Sequence, residues 1–392
     1  MSKIEEMIKR LCPNGVERWL VGDIIEYHPG GSLTRHQVKK EGLYPVMNGG
    51  TDYSGFYDSF NYDENVLTIS HWGSSASHIH RHNNRFWANN ACWIFTPKKD
   101  SNCLLGYLYY ILKTKENIMA SKYCFGGATP NLNRQLFERM EIPLPPLSIQ
   151  REIVSVLDSF TMLIDKMKQE VVLRKKQMEY YCDKLYGGDF GGMMALANTP
   201  EISVVQFSDL GSITRGRRFV RDDVRESGQP CIHYGDMYTY YGTKCDKTKT
   251  YIDKDFPKKM SYAQKGDVVI VGAGENDYDI GVGLVWMGDE PVAVHDACYI
   301  LKHNQNPMYI SYYLRSNIYH QQLKSYVSSG KICSFSKEGL GKIYIPIQSE
   351  EKQRSIVSTL DSFEQYISKL ERLITLREKQ YAYYREKLLT FE

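Results

Sequence analysis

The stretch QREIVSVLDSF at residues 150–160 returns 203 residues later as QRSIVSTLDSF at residues 353–363. Aligned at that offset, residues 150–185 and 353–388 share 19 of 36 residues, among them LRxKQ at 173–177 and 376–380. Such an internal repeat indicates a duplicated architecture. In both copies apolar residues recur at alternating steps of four and three, which is the period of a coiled coil. The repeat therefore predicts two long helices that pack on each other.

The predicted seam uses equivalent positions in the two copies. It comprises Ile153, Leu157, Phe160, Ile164, Met167 and Val171 in the first copy, and Ile356, Leu360, Phe363, Ile367, Leu370 and Ile374 in the second. Each copy follows a proline-marked strand end, and we predict Ser148 and Ser349 as the helix N-caps. Two unrelated buried helices, one in each domain, are the alternative. The narrow seam shared by both copies favours direct packing between the helices.

Fainter echoes precede both helices and predict two related domains. GYLYYILK at 106–113 corresponds to YISYYLRS at 309–316, and ENVLTIS at 64–70 corresponds to GDVVIVG at 266–272. Runs of β-branched residues bounded by turn residues, with helical patches between them, predict strands and helices in each domain. The fold class is therefore α+β (mixed α/β) with tandem duplicated domains separated by long helices. The predicted segments are a first domain (1–147), a helix (148–186), a glycine-rich linker (187–200), a second domain (201–347) and a helix (348–392).

Composition excludes several classes of protein. A length of 392 residues suits two domains, and 42% hydrophobic with 24% charged residues is typical of a globular protein. No run of 18 apolar residues occurs, so no membrane span is expected. The nine cysteines form no C-x-x-C pair, which favours reduced thiols and a cytoplasmic location. A net charge of +3 does not by itself indicate nucleic-acid binding.

The chain resembles the specificity (S) subunit of type I restriction–modification systems. The resemblance rests on IPLPPLSIQREIVSVLDSF (142–160), its echo IPIQSEEKQRSIVSTLDSF (345–363), and KGDVVIVGAGEN (265–276) in the second domain. It implies two target-recognition domains, each reading one half of a bipartite asymmetric sequence in double-stranded DNA. It further implies that the helices form an antiparallel coiled coil, which sets the half-site spacing and docks two methyltransferase (M) subunits.

The resemblance also implies a non-catalytic subunit in the cytoplasm of a bacterium or archaeon. The partners would be two adenine-N6 methyltransferase subunits, with restriction (R) subunits joining for cleavage. The chain would have no cofactor of its own, because S-adenosylmethionine and ATP with Mg²⁺ belong to the partner subunits. A stand-alone tandem DNA-binding protein, or a scaffold without methyltransferase partners, is the alternative that the sequence leaves open.

Base reading needs hydrogen-bonding side chains on loops or helix ends, with cations for the phosphates. In the first domain the candidates are Arg35, Asn48, His71, Trp72, Ser74, Ser75, Arg81, Arg85, Thr129, Asn131 and Asn133. In the second domain they are Arg215, Arg217, Arg218, Arg221, His233, Tyr234, Glu275, Asn276, Tyr278, Lys331, Ser334 and Ser336. For the arginine-rich segment, a solvated loop with ion pairs to Asp222 and Asp223 is the alternative.

Motifs for catalysis or cofactor binding are weak. VVIVGAGEN (268–276) lacks the third glycine of a dinucleotide loop, and the apolar run after it predicts a strand where a phosphate site needs a helix. Asn306-Pro307-Met308-Tyr309 lacks a proline of the adenine-methyltransferase box and predicts a helix start. His78, His80 and His82 alternate as metal ligands on one strand face could. A polar strand near DNA is the favoured interpretation of these histidines.

Overall fold

The computed structural model describes residues 3–187, 196, 200–256, 259–275, 280–328, 330 and 332–391. The chain forms two compact units, which comprise Met1–Lys168 with Arg372–Glu392, and Gln169–Glu371. We call them the first and the second unit. The predicted linker 187–200 lies mostly outside the described residues, and the domain boundaries proposed from the sequence stay a prediction.

Helices are numbered in chain order. They are α1 (Lys3–Leu11), α2 (Val21–Ile24), α3 (Leu105–Lys113), α4 (Glu116–Lys122), α5 (Arg134–Glu138), α6 (Leu147–Leu185), α7 (Phe207–Leu210), α8 (Tyr234–Thr239), α9 (Pro307–Tyr313), α10 (Asn317–Leu323), α11 (Lys337–Gly341) and α12 (Glu350–Leu389). Single 3₁₀ turns occupy Arg221–Asp223 and Lys324–Tyr326. The predicted long helices are thus α6 and α12, of 39 and 40 residues.

The first unit contains eleven short strands among its described residues. They are β1 (Arg18–Leu20), β2 (Ile25–His28), β3 (Tyr44–Met47), β4 (Gly55–Tyr57), β5 (Val66–Ser70), β6 (Ile79–His82), β7 (Trp87–Ala88), β8 (Cys92–Pro97), β9 (Cys124–Phe125), β10 (Asn131–Leu132) and β11 (Glu141–Pro143). They form sheets in the orders β2-β8-β5-β6, β4-β3-β7, β1-β11 and β10-β9. Neighbouring strands are antiparallel except for β3 and β7, which are parallel.

The second unit repeats this plan. Its strands are β12 (Ser203–Gln206), β13 (Gly211–Arg215), β14 (Gln229–Ile232), β15 (Lys244–Cys245), β16 (Thr250–Ile252), β17 (Tyr262–Ala263), β18 (Val268–Val271), β19 (Ala273–Gly274), β20 (Gly283–Trp286), β21 (Val292–Val294), β22 (Cys298–His303), β23 (Val327–Ser328), β24 (Cys333–Phe335) and β25 (Tyr344–Ile347). Their orders are β13-β22-β18-β20-β15, β16-β14-β21-β17, β12-β25 and β19-β24-β23. The parallel pair β14–β21 corresponds to β3–β7, and the second unit has a further parallel pair, β15–β20.

Each unit has a central sheet that is covered on both faces. Alternate residues of a strand point to opposite faces. In β18, Val268 and Ile270 join one core cluster, whereas Val269 and Val271 join another. In β5, Leu67 and Ile69 likewise lie in the core that receives the long helices. This double burial explains why β18 is a continuous apolar run in the sequence.

The start of each long helix is fixed to its own unit by residues that the repeat shares. The buried Gln150 side chain accepts a hydrogen bond from the Leu104 amide at 2.8 Å and donates to the carbonyls of Asn102 and Pro145. Its counterpart Gln353 accepts from the Asn306 amide at 3.1 Å. The echoed Gln therefore joins α6 to the start of α3, and α12 to the start of α9.

Two tyrosines of the echoed aromatic stretches complete this joint. Tyr110 donates to the Asp158 carboxylate at 2.6 Å in the first unit. Tyr312 donates to the Asp361 carboxylate at the same distance in the second. The aspartates are the D of LDSF in the two copies. Part of the sequence identity between the copies thus serves contact between a helix and its own domain.

The long helices pack on each other in antiparallel order. In the first unit Phe160 stacks on Tyr384 with ring centroids 5.6 Å apart, and Lys168 pairs with Glu378 at 2.8 Å. In the second unit Lys175 pairs with Glu371 at 2.8 Å, and Tyr181 stacks on Phe363 at 5.5 Å. All twelve predicted seam side chains are buried or half-buried. Together with the two related α/β units, this packing confirms the predicted fold class.

Local predictions around the helix starts differ in outcome. Ser349 is the N-cap of α12, because its hydroxyl accepts from the Lys352 amide. The N-cap prediction for Ser148 is wrong, since α6 begins at Leu147 and Ser148 lies inside the helix. Asn306 caps α9 by accepting from the Met308 and Tyr309 amides, as the predicted helix start requires. Among the described residues no helix is long and apolar enough to cross a membrane.

Candidate nucleic-acid interface

In the first unit, the backbone beyond β5 meets the β9–β10 hairpin. Trp72 lies opposite Asn131 across an antiparallel bridge, and Asn131 lies opposite Phe125. The Gly73 amide donates to the Pro130 carbonyl at 2.9 Å and holds the bridge in place. Directly opposed residues of antiparallel strands project to the same face. Trp72, Asn131 and Phe125 therefore form one line of side chains, which we call the aromatic row.

The second unit has the same arrangement with smaller residues. Ala273 lies opposite Ser334, and Ser334 lies opposite Ser328. The backbone bond from the Phe335 amide to the Gly272 carbonyl corresponds to the one from Leu132 to His71 in the first unit. We call Ala273, Ser334 and Ser328 the small row. Where the first unit carries two exposed rings, the second therefore carries a methyl group and two hydroxyls.

The small row forms one wall of a cleft of about 480 Å³. Its other walls include Arg215, Asp296 and Glu338. The Arg215 Nε donates to the Asp296 carbonyl at 2.8 Å, which occupies one of the five guanidinium donors. An arginine with donors to spare can contact a phosphate or read guanine in a bidentate way. The cleft thus joins three predicted DNA-binding residues, Arg215, Ser334 and Ser336.

A close backbone contact fixes the position of the arginines that follow β13. A Cβ added to Gly216 would lie 2.0 Å from the His295 carbonyl oxygen, so this position accepts glycine alone. The next amide, of Arg217, donates to the Val294 carbonyl at 2.9 Å. Arg217 and Arg218 are exposed, and so is Arg221. The loop therefore offers a small cluster of cations at a fixed place beside the sheet.

Several predicted residues of the first unit have contacts within the protein. Arg81 donates to Asp158 of α6 at 2.8 Å, which turns it towards the long helix. Arg85 pairs with Asp63 at 2.9 Å. His71 stacks on Trp93 with ring centroids 5.2 Å apart. Asn133 is the N-cap of α5. The remaining predicted residues of this unit lie at exposed or half-exposed positions: Arg35, Asn48, Ser74, Ser75 and Thr129.

The second unit shows the same division. Ser336 caps α11, and His233 caps α8 through its Nδ1. The His233 ring lies 4.5 Å from that of Tyr234 and 4.5 Å from that of His295, so both predicted residues belong to an aromatic cluster. Glu275 is exposed. Three further predicted residues lie outside the described residues: Asn276, Tyr278 and Lys331. The DNA-binding roles of all these side chains stay a prediction.

The HIHRH histidines are His78, directly before β6, and His80 and His82 within it, and their neighbouring ring centroids lie 4.7 and 5.9 Å apart. His82 is buried, and its Nε2 hydrogen-bonds with the Thr68 hydroxyl at 2.8 Å. Burial, and then the neighbouring His80, lower the pKa of His82 to about 3. Across the described ranges no group of three or more His, Cys, Asp or Glu is placed to hold a metal ion. The three histidines are therefore better described as neutral side chains that pack against one another.

Sequence reasoning missed Phe125, Ser328 and Asp296. A signal for the two hairpin residues was present in the charges. Residues 117–137 contain no Asp or Glu, and neither do residues 317–337. These segments hold the hairpins of both units, which end on the aromatic and the small row. An acid-free hairpin avoids repulsion from DNA phosphates, and that absence could have pointed to Phe125 and Ser328.

The duplicated architecture matches a known protein family. A model of the type I restriction modification DNA specificity domain matches the chain twice, at residues 13–173 and 201–378. The chain belongs to this family. The two matches cover both units with the greater part of both long helices, which confirms the resemblance drawn from the sequence.

Individual members of the type I specificity family align along almost the whole chain. A Haemophilus influenzae protein named as a type I restriction enzyme specificity subunit is 27% identical, over 96% of this chain and 98% of its own length. The crystal structure of an S subunit from M. genitalium covers 96% of this chain and 97% of its own, with a TM-score of 0.61 and 18% identity. A structure from work on complex assembly and conformational transition of the type I system has a TM-score of 0.59 at 14% identity.

Proposed function

We propose that the chain is the DNA-recognition subunit of a type I restriction–modification complex in the cytoplasm, and that each unit reads one half of a bipartite, asymmetric double-stranded target. The proposal rests on one arrangement that the two units share. In both units the same strand end meets the same hairpin in the same register, while the row of side chains differs. One frame with two sets of exposed side chains is what a protein needs to read two unlike half-sites.

The long helices would dock two methyltransferase (M) subunits. Two apolar residues are identical and exposed in both copies of the repeat: Leu173 and Leu376 at 62% and 52%, and Tyr180 and Tyr383 at 57% and 60%. The two positions are seven residues apart, so they share one helix face. Exposed apolar residues that recur on both helices favour a partner that binds twice through the same contacts. Restriction (R) subunits would join this assembly for cleavage.

Catalysis would belong to the partners. In this proposal S-adenosylmethionine binds the M subunits, ATP with Mg²⁺ binds the R subunits, and the chain holds no cofactor. The paired helices would set the distance between the half-sites. Inserting one heptad at facing positions of α6 and α12 should therefore lengthen the unread spacer and leave the bases of both half-sites unchanged. A change in the bases read would contradict this role of the helices.

A genome-wide map of N6-methyladenine with and without the gene tests the recognition function. We expect one asymmetric two-part motif to lose methylation on deletion and to regain it on complementation. If no motif changes, the proposal is wrong. DNA binding by the purified chain would then indicate a stand-alone binder, and protein partners without DNA binding would indicate a scaffold.

A stoichiometry measurement tests the docking. Leu173→Ala with Tyr180→Ala should leave one M subunit on each chain, and the same changes at Leu376 and Tyr383 should give the same result. All four changes together should leave none. Val172→Ala is the matched control, because Val172 is 54% exposed on the same helix but its counterpart is Thr375. An unchanged ratio of two M subunits in the fourfold variant would refute the docking face.

A further inference from the structure

We propose that the aromatic row reads A·T pairs of the first half-site, with Asn131 on an adenine and the rings of Trp72 and Phe125 against thymine methyl groups on either side. This inference rests on the function proposed above and adds the class of base that the first unit takes. It concerns the three opposed residues at the junction of the β5 end with the β9–β10 hairpin.

The row is exposed and its chemistry is unused within the protein. Trp72 is 58% exposed and Phe125 is 55% exposed. Over the part of the chain that the structure describes, neither ring stacks on another ring, and the Asn131 side-chain amide has no hydrogen-bond partner. A buried protein core would normally take up two such large apolar side chains. Their exposure side by side, where the end of β5 meets the hairpin, instead favours a contact with a ligand.

The spacing of the row suits a stack of bases. Adjacent strands lie about 4.8 Å apart, so the two outer side chains start about 10 Å apart with Asn131 between them. That separation corresponds to roughly three base steps of 3.4 Å. An asparagine matches the N6 donor and N7 acceptor of adenine, and apolar groups contact the thymine methyl in the major groove. The order ring, amide, ring therefore fits an adenine with one A·T pair a single base step away on one side and another A·T pair two steps away on the other side.

The distribution of charge favours DNA over other ligands of this surface. Residues 65–99 and 117–137 contain no Asp or Glu, and the exposed Lys99 and Lys122 lie within them. Arg81, Arg85 and Arg134 of the same segments pair with Asp158, Asp63 and Glu138. The row stands between two acid-free segments, which suits approach to phosphates. In the second unit, residues 266–303 contain seven acidic residues. The first unit is thus the more favourable surface for close apolar contact with bases.

The small row gives an internal comparison. Ala273, Ser334 and Ser328 occupy the same three register positions and leave a cleft with Arg215 in its wall. Side chains of this size cannot cover two thymine methyl groups about 10 Å apart. The thymine contacts are therefore expected in the first half-site alone.

Deoxyuridine in place of thymidine tests the inference, because it removes the methyl group and keeps base pairing. The chain is assembled with its M subunits, and binding is measured on the target that the methylation map defines. Asn131→Ala identifies the first half-site, since it should relax the preference for one adenine. With the wild-type chain, deoxyuridine one or two steps from that adenine should weaken binding about 3–5-fold per methyl group. The same replacement in the other half-site should change nothing.

Substitutions in the aromatic row test the same contacts from the protein side. With Trp72→Ala or Phe125→Ala, binding to thymidine DNA should fall, and the matching deoxyuridine should cause no further loss. Leu11→Ala, which removes a 41% exposed side chain from α1, is the control and should keep the full deoxyuridine effect. Unchanged discrimination at the second half-site shows that each variant is folded.

Three results would overturn the inference while the recognition function stands. They are a first half-site without thymine within two steps of its adenine, a wild-type complex whose binding is unaffected by deoxyuridine, and an equal deoxyuridine effect in wild type and in both row variants. A wild-type complex without any sequence preference would overturn the recognition function itself, and the inference with it.

Discussion

The glutamine that opens each copy of the repeat offers a sharp test of how the long helices are held. We consider Gln150→Ala in the first unit and Gln353→Ala in the second. Both side chains are buried, with 0% and 3% of their surface exposed. Each makes three hydrogen bonds, one from a backbone amide and two to acceptors near the helix start.

The expected cost follows from these contacts. A hydrogen bond contributes about 1 kcal/mol net, and a buried donor left without a partner costs about 1–3 kcal/mol. Alanine removes three bonds and leaves the Leu104 or the Asn306 amide unpaired, so each variant should lose about 2–4 kcal/mol of unfolding free energy. Gln150→Glu should cost at least as much, because a carboxylate oxygen would face the carbonyls of Asn102 and Pro145.

The assay is urea denaturation of the chain, read by far-UV circular dichroism, with hydrogen exchange as a local measurement. Exchange should accelerate in the peptide that contains Leu104 for the Gln150 variants, and in the peptide that contains Asn306 for Gln353→Ala. Gln169→Ala serves as control, since Gln169 lies exposed on the same helix as Gln150. Its unfolding free energy should change by less than about 0.5 kcal/mol.

The reasoning is refuted if Gln150→Ala is as mild as Gln169→Ala, or if Gln150→Glu is clearly milder than Gln150→Ala. A large loss in one unit with none in the other would show that the two joints are not equivalent, despite their shared sequence.

Three further predictions concern the seam, pH and the arginine loop. Ile164→Ala should cost about 2–4 kcal/mol in urea denaturation because it leaves a cavity in the seam, whereas Met162→Ala, at a 55% exposed position, should be nearly neutral. Because the folded chain holds the pKa of His82 at about 3 against 6.5 in the unfolded chain, His82 should contribute a loss of stability of about 1.4 kcal/mol per pH unit as the pH falls from 6.5 to about 3. His82→Gln should remove this contribution, and the slope of unfolding free energy against pH should fall by about 1.4 kcal/mol per pH unit. Gly216→Ala must displace the loop of Arg217 and Arg218, so DNA affinity of the complex should drop about tenfold or more while circular dichroism stays unchanged.

The long helices show which structural features a local sequence pattern predicts and which it does not. A seven-residue apolar period repeats over more than four heptads, and that period has a single structural solution in which the apolar stripe is buried along a helix. The pattern did not reveal that Gln150, Asp158 and their counterparts hold the helices to their own domains. Those contacts join segments about 50 residues apart, and no periodicity records them.

The arginines illustrate the same limit. Arg81 and Arg85 look alike in sequence as loop cations beside histidines. In the structure Arg81 is paired with Asp158, 77 residues away along the chain, and Arg85 with Asp63. The partner decides whether a cation is available to a phosphate, and the partner is chosen by the fold.

The sequence by itself determined the two long helices, the duplicated α/β domains and the family, because repeats and apolar periods are local properties of the chain. Tertiary structure alone decided the aromatic row and the small row. Trp72 meets Asn131 across 59 residues, and Ala273 meets Ser334 across 61. Such a meeting depends on strand register, which the packing of the whole sheet fixes and which a shift of one residue would reverse.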